Sequence, residues 1–282
     1  MTEEAMIAAA LRERLQLPPK VDLDQLARDL NLSIVEVESQ SFEGALLRSS
    51  RKSSGRILVR RGIREVERKR FTIAHEIGHY VMHGVQQVPC SSRVIEGWKA
   101  SQPKPEREAD TFASELLLPS ADVTKRVNNR WPSMQVISDI AGHFGSSMTA
   151  AARKFCDVAP QACAVVWSSE RKIRWFHPSP TFIYFIDVEI NLGFDSYAFK
   201  AFEGMALPDD MQEVPAEDWI KSSWLRHDAA VSEQSLHMPF YDGCLSLIWV
   251  RRSIENRPTV EDELLPELDP EGFTLQRKRW PR

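Results

Sequence analysis

The sharpest chemical signal in the chain is the run His75-Glu76-Ile77-Gly78-His79. In a helix, residues i and i+4 share one face about a turn apart, so two imidazoles can point at one cation. Glu76 then projects beside that cation rather than onto it, where a carboxylate can take a proton from water the ion has made acidic. Chance supplies such a match in about one protein in a hundred of this composition. The context lowers that further, because Phe71, Ile73, Ala74, Ile77, Val81 and Met82 make the run apolar. Burying two histidines and a glutamate there costs free energy unless a metal or other partners satisfy them.

Two nitrogens do not hold a catalytic zinc; a third protein ligand is needed, with a fourth position left open. The metzincin pattern HExxHxxGxxH is excluded, since Met82 and Val85 occupy its Gly and His positions. His83 lies eight residues from His75, about 12 Å of helix rise, so it reads as a packing residue or as a partner to a ligand. The better source is a helix over Pro105–Leu118, whose apolar face (Ala109, Phe112, Ala113, Leu116, Leu117) must turn inward. Glu106, Glu108 and Asp110 open it. Glu106 and Asp110 are four apart, so one can bind zinc while the other accepts the Nδ1–H of a ligand histidine. Glu108 has Phe112 at that spacing, which does neither job. Glu106 is therefore the expected ligand, Glu108 the alternative and Asp110 the histidine's acceptor. Whichever glutamate does not bind metal is expected to complement the helix dipole.

These helices sit in a chain of 282 residues, 43% apolar and 27% charged, enough for about two domains. Thirty-six basic and 40 acidic residues give a net charge of −4, which argues against attachment to nucleic acid by bulk charge. Cys90, Cys156, Cys163 and Cys244 lack CxxC spacing, so neither a thiolate zinc site nor a disulfide framework is expected. No stretch approaches the roughly 18 apolar residues of a membrane helix. Glu3 and Glu4 stand where a signal peptide is basic, so a soluble cytoplasmic protein is expected.

Periodicity predicts helices at 3–17, ended by Pro18-Pro19, and at Leu23–Leu30 behind the cap Asp22. Strands are expected around Ile34–Val37 and Ile57–Val59, joined as a hairpin or meander through the polar run 48–55. The zinc-motif helix should run from Glu65 to Gly84. Three short helices follow within Ser120–Arg130 and Met134–Phe155. From Ala162 the composition turns β-branched and aromatic, and strands are expected at 162–168, 172–176, 181–189, 197–204 and 244–252, with one helix at Pro215–Ser223. Trp167, Trp175, Phe176, Phe182, Tyr184 and Phe185 read as sheet core rather than a ligand cage. Residues 255–271 hold seven acidic residues and one arginine and read as a loose tail. The expected division is 1–118, 119–160, 161–254 and the tail 255–282.

Phe71–His83, followed some 20 to 25 residues later by Glu106–Pro119, resembles the ImmA/IrrE family of zinc metallo-endopeptidases. The shared patterns are F-x-x-A-H-E-x-x-H and E-x-x-A-[ND]-x-F-A-x-x-L-L-x-P. Residues 137–155 also look like the helix-turn-helix-like bundle that follows in the family, and the likeness covers about 5–170. It implies an α+β fold: a thermolysin-like metalloprotease core, that bundle, and then a strand-rich, GAF-like sensor domain. It also implies a protein substrate, a helix-turn-helix repressor whose cleavage releases stress-response or mobile-element genes. His75, His79 and Glu106 would hold zinc (or manganese), and Glu76 would be the catalytic base. Tyr80, His83 and His143 are candidate donors to the oxyanion.

Two other features ask for a role. Arg51–Arg70 holds nine basic and two acidic residues, read as a solvated face or as a basic rim steering an acidic substrate segment. The 134–155 segment has helix-turn-helix shape and offers a rival reading as a DNA-binding regulator, yet its second helix carries no base-reading side chain before Arg153. Neither membrane nor DNA is expected as a partner. A third reading keeps the metal without proteolysis, as a sensor, but Glu76 has no use in a structural site.

Overall fold

The computed structural model describes residues 1–48, 54–83, 103–223, 225–252 and 254, and among these the chain is α+β with eight α-helices and two sheets. α1 (Glu3–Arg14) carries Glu3 and Glu4 in its first turn and Arg12 and Arg14 in its last, matching the helix dipole. Arg12 is buried, donating to Leu116 O at 2.6 Å and Pro18 O at 3.0 Å. It thereby caps a carbonyl at the end of a distant helix. α2 (Leu23–Asp29) starts at Asp22, whose side chain accepts from Gln25 N at 2.9 Å.

The first sheet corrects the expected hairpin. β1 (Leu32–Val37) and β3 (Gly55–Arg60) are neighbours but parallel, while β2 (Gly44–Arg48) lies between them in sequence and pairs antiparallel with β3. The polar run 48–55 therefore joins β2 to β3, with residues 49–53 outside those described. β2 escapes a periodicity reading because its five residues are too short to show an alternation.

α3 (Val66–Met82) lays Ile73, Ala74 and Ile77 into the core beneath this sheet, and α4 (Lys104–Leu117) packs against it with Phe112, Ala113 and Leu116. Gly78 permits the close approach: a Cβ there would lie 3.0 Å from Phe112 Cδ1 and 3.3 Å from Ala109 Cα. A mid-helix glycine costs about 1 kcal/mol against alanine, so the contact it allows must be worth keeping. The expected helix stop at Gly84 and Cys90 lie outside the described residues.

α5 (Ser120–Val127), α6 (Met134–Phe144) and α7 (Met148–Val158) follow, the last two capped by Ser133 and Ser147. The second sheet is antiparallel throughout, in the order β5-β4-β8-β7-β6, from β4 (Cys163–Ser169), β5 (Lys172–Pro178), β6 (Gln212–Pro215), β7 (Ala230–Met238) and β8 (Gly243–Trp249). Both faces of its centre are covered. Val165, Leu245 and Leu247 join Val127, Phe144 and Phe155 of the helices in one apolar cluster, while Ala164, Val166 and Ile248 face a second cluster with Trp219 and Ile186.

Here the composition misleads in three places. Residues 197–204 form α8 (Tyr197–Phe202), a helix capped by Ser196, rather than a strand. Residues 181–189 alternate, with Phe182 and Ile186 buried and Ile183 and Phe185 exposed, but they meet a strand only at their end, where Glu189 N donates to Ile173 O at 2.7 Å. The expected helix at 215–223 shrinks to a 3-10 turn at Ala216–Asp218. β7 is missed for the opposite reason: its buried Ser232, Glu233 and Ser235 read as surface. Trp167 and Trp175 pack on the first of these clusters and Phe176, Phe182 and Tyr184 on the second, but Phe185 is 62% exposed.

Candidate metal centre

α3 and α4 bring three side chains of the sequence motifs to one point. His75 Nε2 and His79 Nε2 are 3.0 Å apart, and the Glu106 carboxylate stands 3.3 Å from the first and 3.4 Å from the second. Tetrahedral ligands at 2.0–2.1 Å from a zinc ion lie about 3.3 Å from one another, so the spacing fits a single small cation. His75, His79 and Glu106 are the group of potential ligands found among the described residues.

The remaining atoms of the cluster turn these groups toward that point. His75 Nδ1 is 2.9 Å from Asp110 Oδ1. An ionised carboxylate only accepts, so Nδ1 carries the proton and Nε2 presents its lone pair. Burial pushes the Glu106 carboxyl up, and only positive charge at the His75 and His79 Nε2 atoms, carried by protons or by a metal ion in their place, brings it below the ordinary carboxylate range. A position in the first turn of α4 favours the same charged form. Two lone pairs and a carboxylate within 3.4 Å repel one another unless a positive charge joins them, and that chemistry fits a divalent ion.

Glu76 is completely buried one residue along α3. It lies against the start of β2, where a Cβ on Gly44 would come within 2.6 Å of Glu76 Oε1. Only a glycine lets the strand approach the carboxylate this closely, a contact the sequence motif does not announce. β2 is an edge strand of its sheet among the described residues.

Glu108, the alternative ligand, points elsewhere: its Oε2 is 2.9 Å from His83 Nε2, which holds its carboxyl below the usual range. The other ring nitrogen of His83 is 2.9 Å from His79 Nδ1. Both ring nitrogens of His83 thus have contacts within the chain. His143 sits on α6, where its Nε2 accepts from Arg126 at 2.6 Å, and burial and the Arg126 charge lower its pKa. Tyr80 lies beneath the Arg48 guanidinium, 4.7 Å from ring centroid to Cζ.

The basic run is answered in part within the chain, while Arg56, Arg61 and Arg64 are exposed as on a solvated face. Arg60 and Arg68 both pair with Glu43, Arg61 pairs with Glu38, and Lys69 with Glu36. Arg70 donates to Gly145 O. These charges are spent on the chain itself, and Arg51 and Lys52 lie outside the described residues. α7, the recognition helix of the DNA-binding reading, packs into the protein: of Met148–Val158 only Asp157 is exposed.

Residues 27–155 match the Peptidase_M78 model, described as an IrrE N-terminal-like domain, which supports a place in the ImmA/IrrE family. A peptidase family of this kind implies a metal ion, for which the His-His-Glu cluster is the available site. Among curated proteins none matches the chain significantly. A solved structure titled Mycobacterium tuberculosis transcriptional regulator is similar over 88% of this chain and 76% of its own, at 11% identity and a TM-score of 0.52. At that identity the likeness is one of fold. No helix among the described residues is long and apolar enough to cross a membrane.

Proposed function

We propose that the chain is a zinc-dependent endopeptidase that cleaves a helix-turn-helix transcriptional repressor and so relieves repression. The observation that carries this reading is the convergence of two imidazole nitrogens and a carboxylate within 3.4 Å, with Glu76 buried beside them. His75, His79 and Glu106 would hold the ion, which when bound supplies Lewis acidity toward a peptide carbonyl and toward water. Glu76 accepts the proton of the attacking water and returns it to the leaving amine. β2, an edge strand among the described residues, would offer that edge to an extended peptide lying beside Glu76 as an added strand. Tyr80 stays a candidate oxyanion donor beside His83 and His143, each of which has contacts of its own.

Three protein ligands among the described residues fit a catalytic site, which keeps a position open, better than a structural one, which closes it. The packing of α7 disfavours reading of DNA bases by that helix. A regulatory substrate agrees with the fold shared with a protein titled a transcriptional regulator. The core would be thermolysin-like and the C-terminal sheet a GAF-like sensor. A cavity of about 590 Å³ beside that sheet mixes Glu170, Glu217 and Asp218 with Arg171, Lys221 and Phe194. That lining selects no single ligand class. The decisive experiment incubates the full chain and zinc with the helix-turn-helix regulator encoded nearest its gene. A single-cut product that disappears on chelation is expected; an intact regulator under zinc would overturn the reading.

A further inference from the structure

His83 and Glu108 extend the cluster in a way the zinc motif does not require. His79 Nδ1 meets His83 Nδ1 at 2.9 Å, and His83 Nε2 meets Glu108 Oε2 at 2.9 Å. Proton positions along this chain follow from its far end. Glu108, an ionised acceptor, requires the proton of His83 to sit on Nε2. In a neutral His83 the Nδ1 is then an acceptor, so the proton of His79 sits on Nδ1. His79 Nε2 is left as a lone pair, facing His75 Nε2 and Glu106.

We infer that His83 and Glu108 form a positioning relay that fixes the tautomer and ring orientation of His79, presenting its Nε2 to the metal. The inference rests on the reading of His79 as a metal ligand. His75 obtains the same service from a single carboxylate, Asp110. His79 lies a turn further along α3, and the carboxylate on its side is reached through a second imidazole.

The relay is held from both ends. Arg48 donates to His83 O at 2.7 Å, fixing the backbone just past the end of α3. Lys104 stands 3.4 Å from Glu108 Oε1 and keeps the carboxylate at the start of α4 in place. The His83 and Glu108 side chains are only 17% and 21% exposed, so water competes poorly for the link. A histidine that merely closed a helix would need neither nitrogen matched.

Two variants of the full chain test this. Glu108→Gln keeps the shape but offers His83 an amide oxygen or an amide N–H, which removes the tautomer preference. His83→Phe keeps a ring and removes both links. Zinc affinity is measured by chelator competition, and the His79 tautomer by nitrogen chemical shifts in histidine-labelled, metal-free protein. Partners of metal-bound histidines are worth about 10–100-fold in affinity. Both variants are expected to weaken zinc binding by about 10-fold or more, and in Glu108→Gln the wild-type His79 signal splits between two tautomers. Wild-type zinc affinity with an unchanged His79 tautomer would overturn the relay while leaving the ligand assignment standing. A wild-type chain that binds no zinc would overturn the ligand assignment and the relay with it. If His83→Phe does not fold, Glu108→Gln alone decides.

Discussion

Glu106 and Glu233 are both buried carboxylates, and their surroundings are opposites. Glu233, wholly buried in β7, meets donors at every turn: Ala198 N at 2.8 Å, Trp219 Nε1 at 2.9 Å and Ser235 Oγ at 2.7 Å. Its oxygens are answered by the chain. Glu106 meets two imidazoles whose Nδ1 atoms are committed to Asp110 and His83. What those rings present to it are acceptors. A buried acid surrounded by donors ties elements together, here α8 and the Trp219 turn to the sheet. A buried acid set against two histidine ring nitrogens is placed to share a divalent ion with them.

The largest effect is expected one residue from the ligand set. Glu76→Gln should reduce peptide cleavage by about 10²–10⁴-fold, the usual worth of a general base. Zinc stoichiometry by elemental analysis should stay at the wild-type value. Cleavage at the wild-type rate would remove Glu76 from the chemistry and leave only a metal site to set against Glu233.

Next comes the exchange of one acid for the other. Zinc at 100 times its dissociation constant stabilises a folded chain by about 2.7 kcal/mol, read as a rise in thermal midpoint. Glu106→Ala should lose that rise altogether. Glu233→Ala should keep it in full, yet unfold more easily by roughly 1–3 kcal/mol for each donor left stranded. Should Glu233→Ala lose the zinc response, or Glu106→Ala keep it, the two centres are not different in kind.

The smallest effect is a pH dependence. Burial raises the Glu233 carboxyl pKa against the lowering influence of its hydrogen bonds. The folded state therefore holds this proton more tightly than the unfolded chain. Its contribution to stability is full below the unfolded value of about 4.3 and declines as pH rises to the folded value. The stability difference between wild type and Glu233→Gln, measured by urea unfolding, should shrink over that window. A difference that grows with pH would mean the ionised form is the one the fold prefers.

The convergence of His75, His79 and Glu106 was legible in sequence because each sits on a helix whose period brings it to the motif's face. Positions 75 and 79 are one turn apart, and 106 and 110 repeat the same step on the partner helix. Gly44 was not legible, since nothing in a five-residue strand says that a carboxylate will lie 2.6 Å from its missing Cβ. Nor was the bond between His83 and Glu108, which depends on how two helices are set against each other. In the C-terminal half, hydrophobicity was a poor guide. The aromatic run 197–202 coils because Ser196 caps it and Ala198 and Ala201 face inward. The polar run 230–238 extends because Ser235 and Ser246 bond to each other at 2.6 Å in its interior.

Phe144 and Phe155 from the helices that follow the metal cluster share one dry layer with Val165, Leu245 and Leu247 of the sheet. A cut after Pro160 would lay that layer bare on both pieces, and each would tend to clump with itself. The sheet is thus no detachable appendage. A deletion that removes it examines whether the peptidase half can stay upright, before it can say anything about signalling.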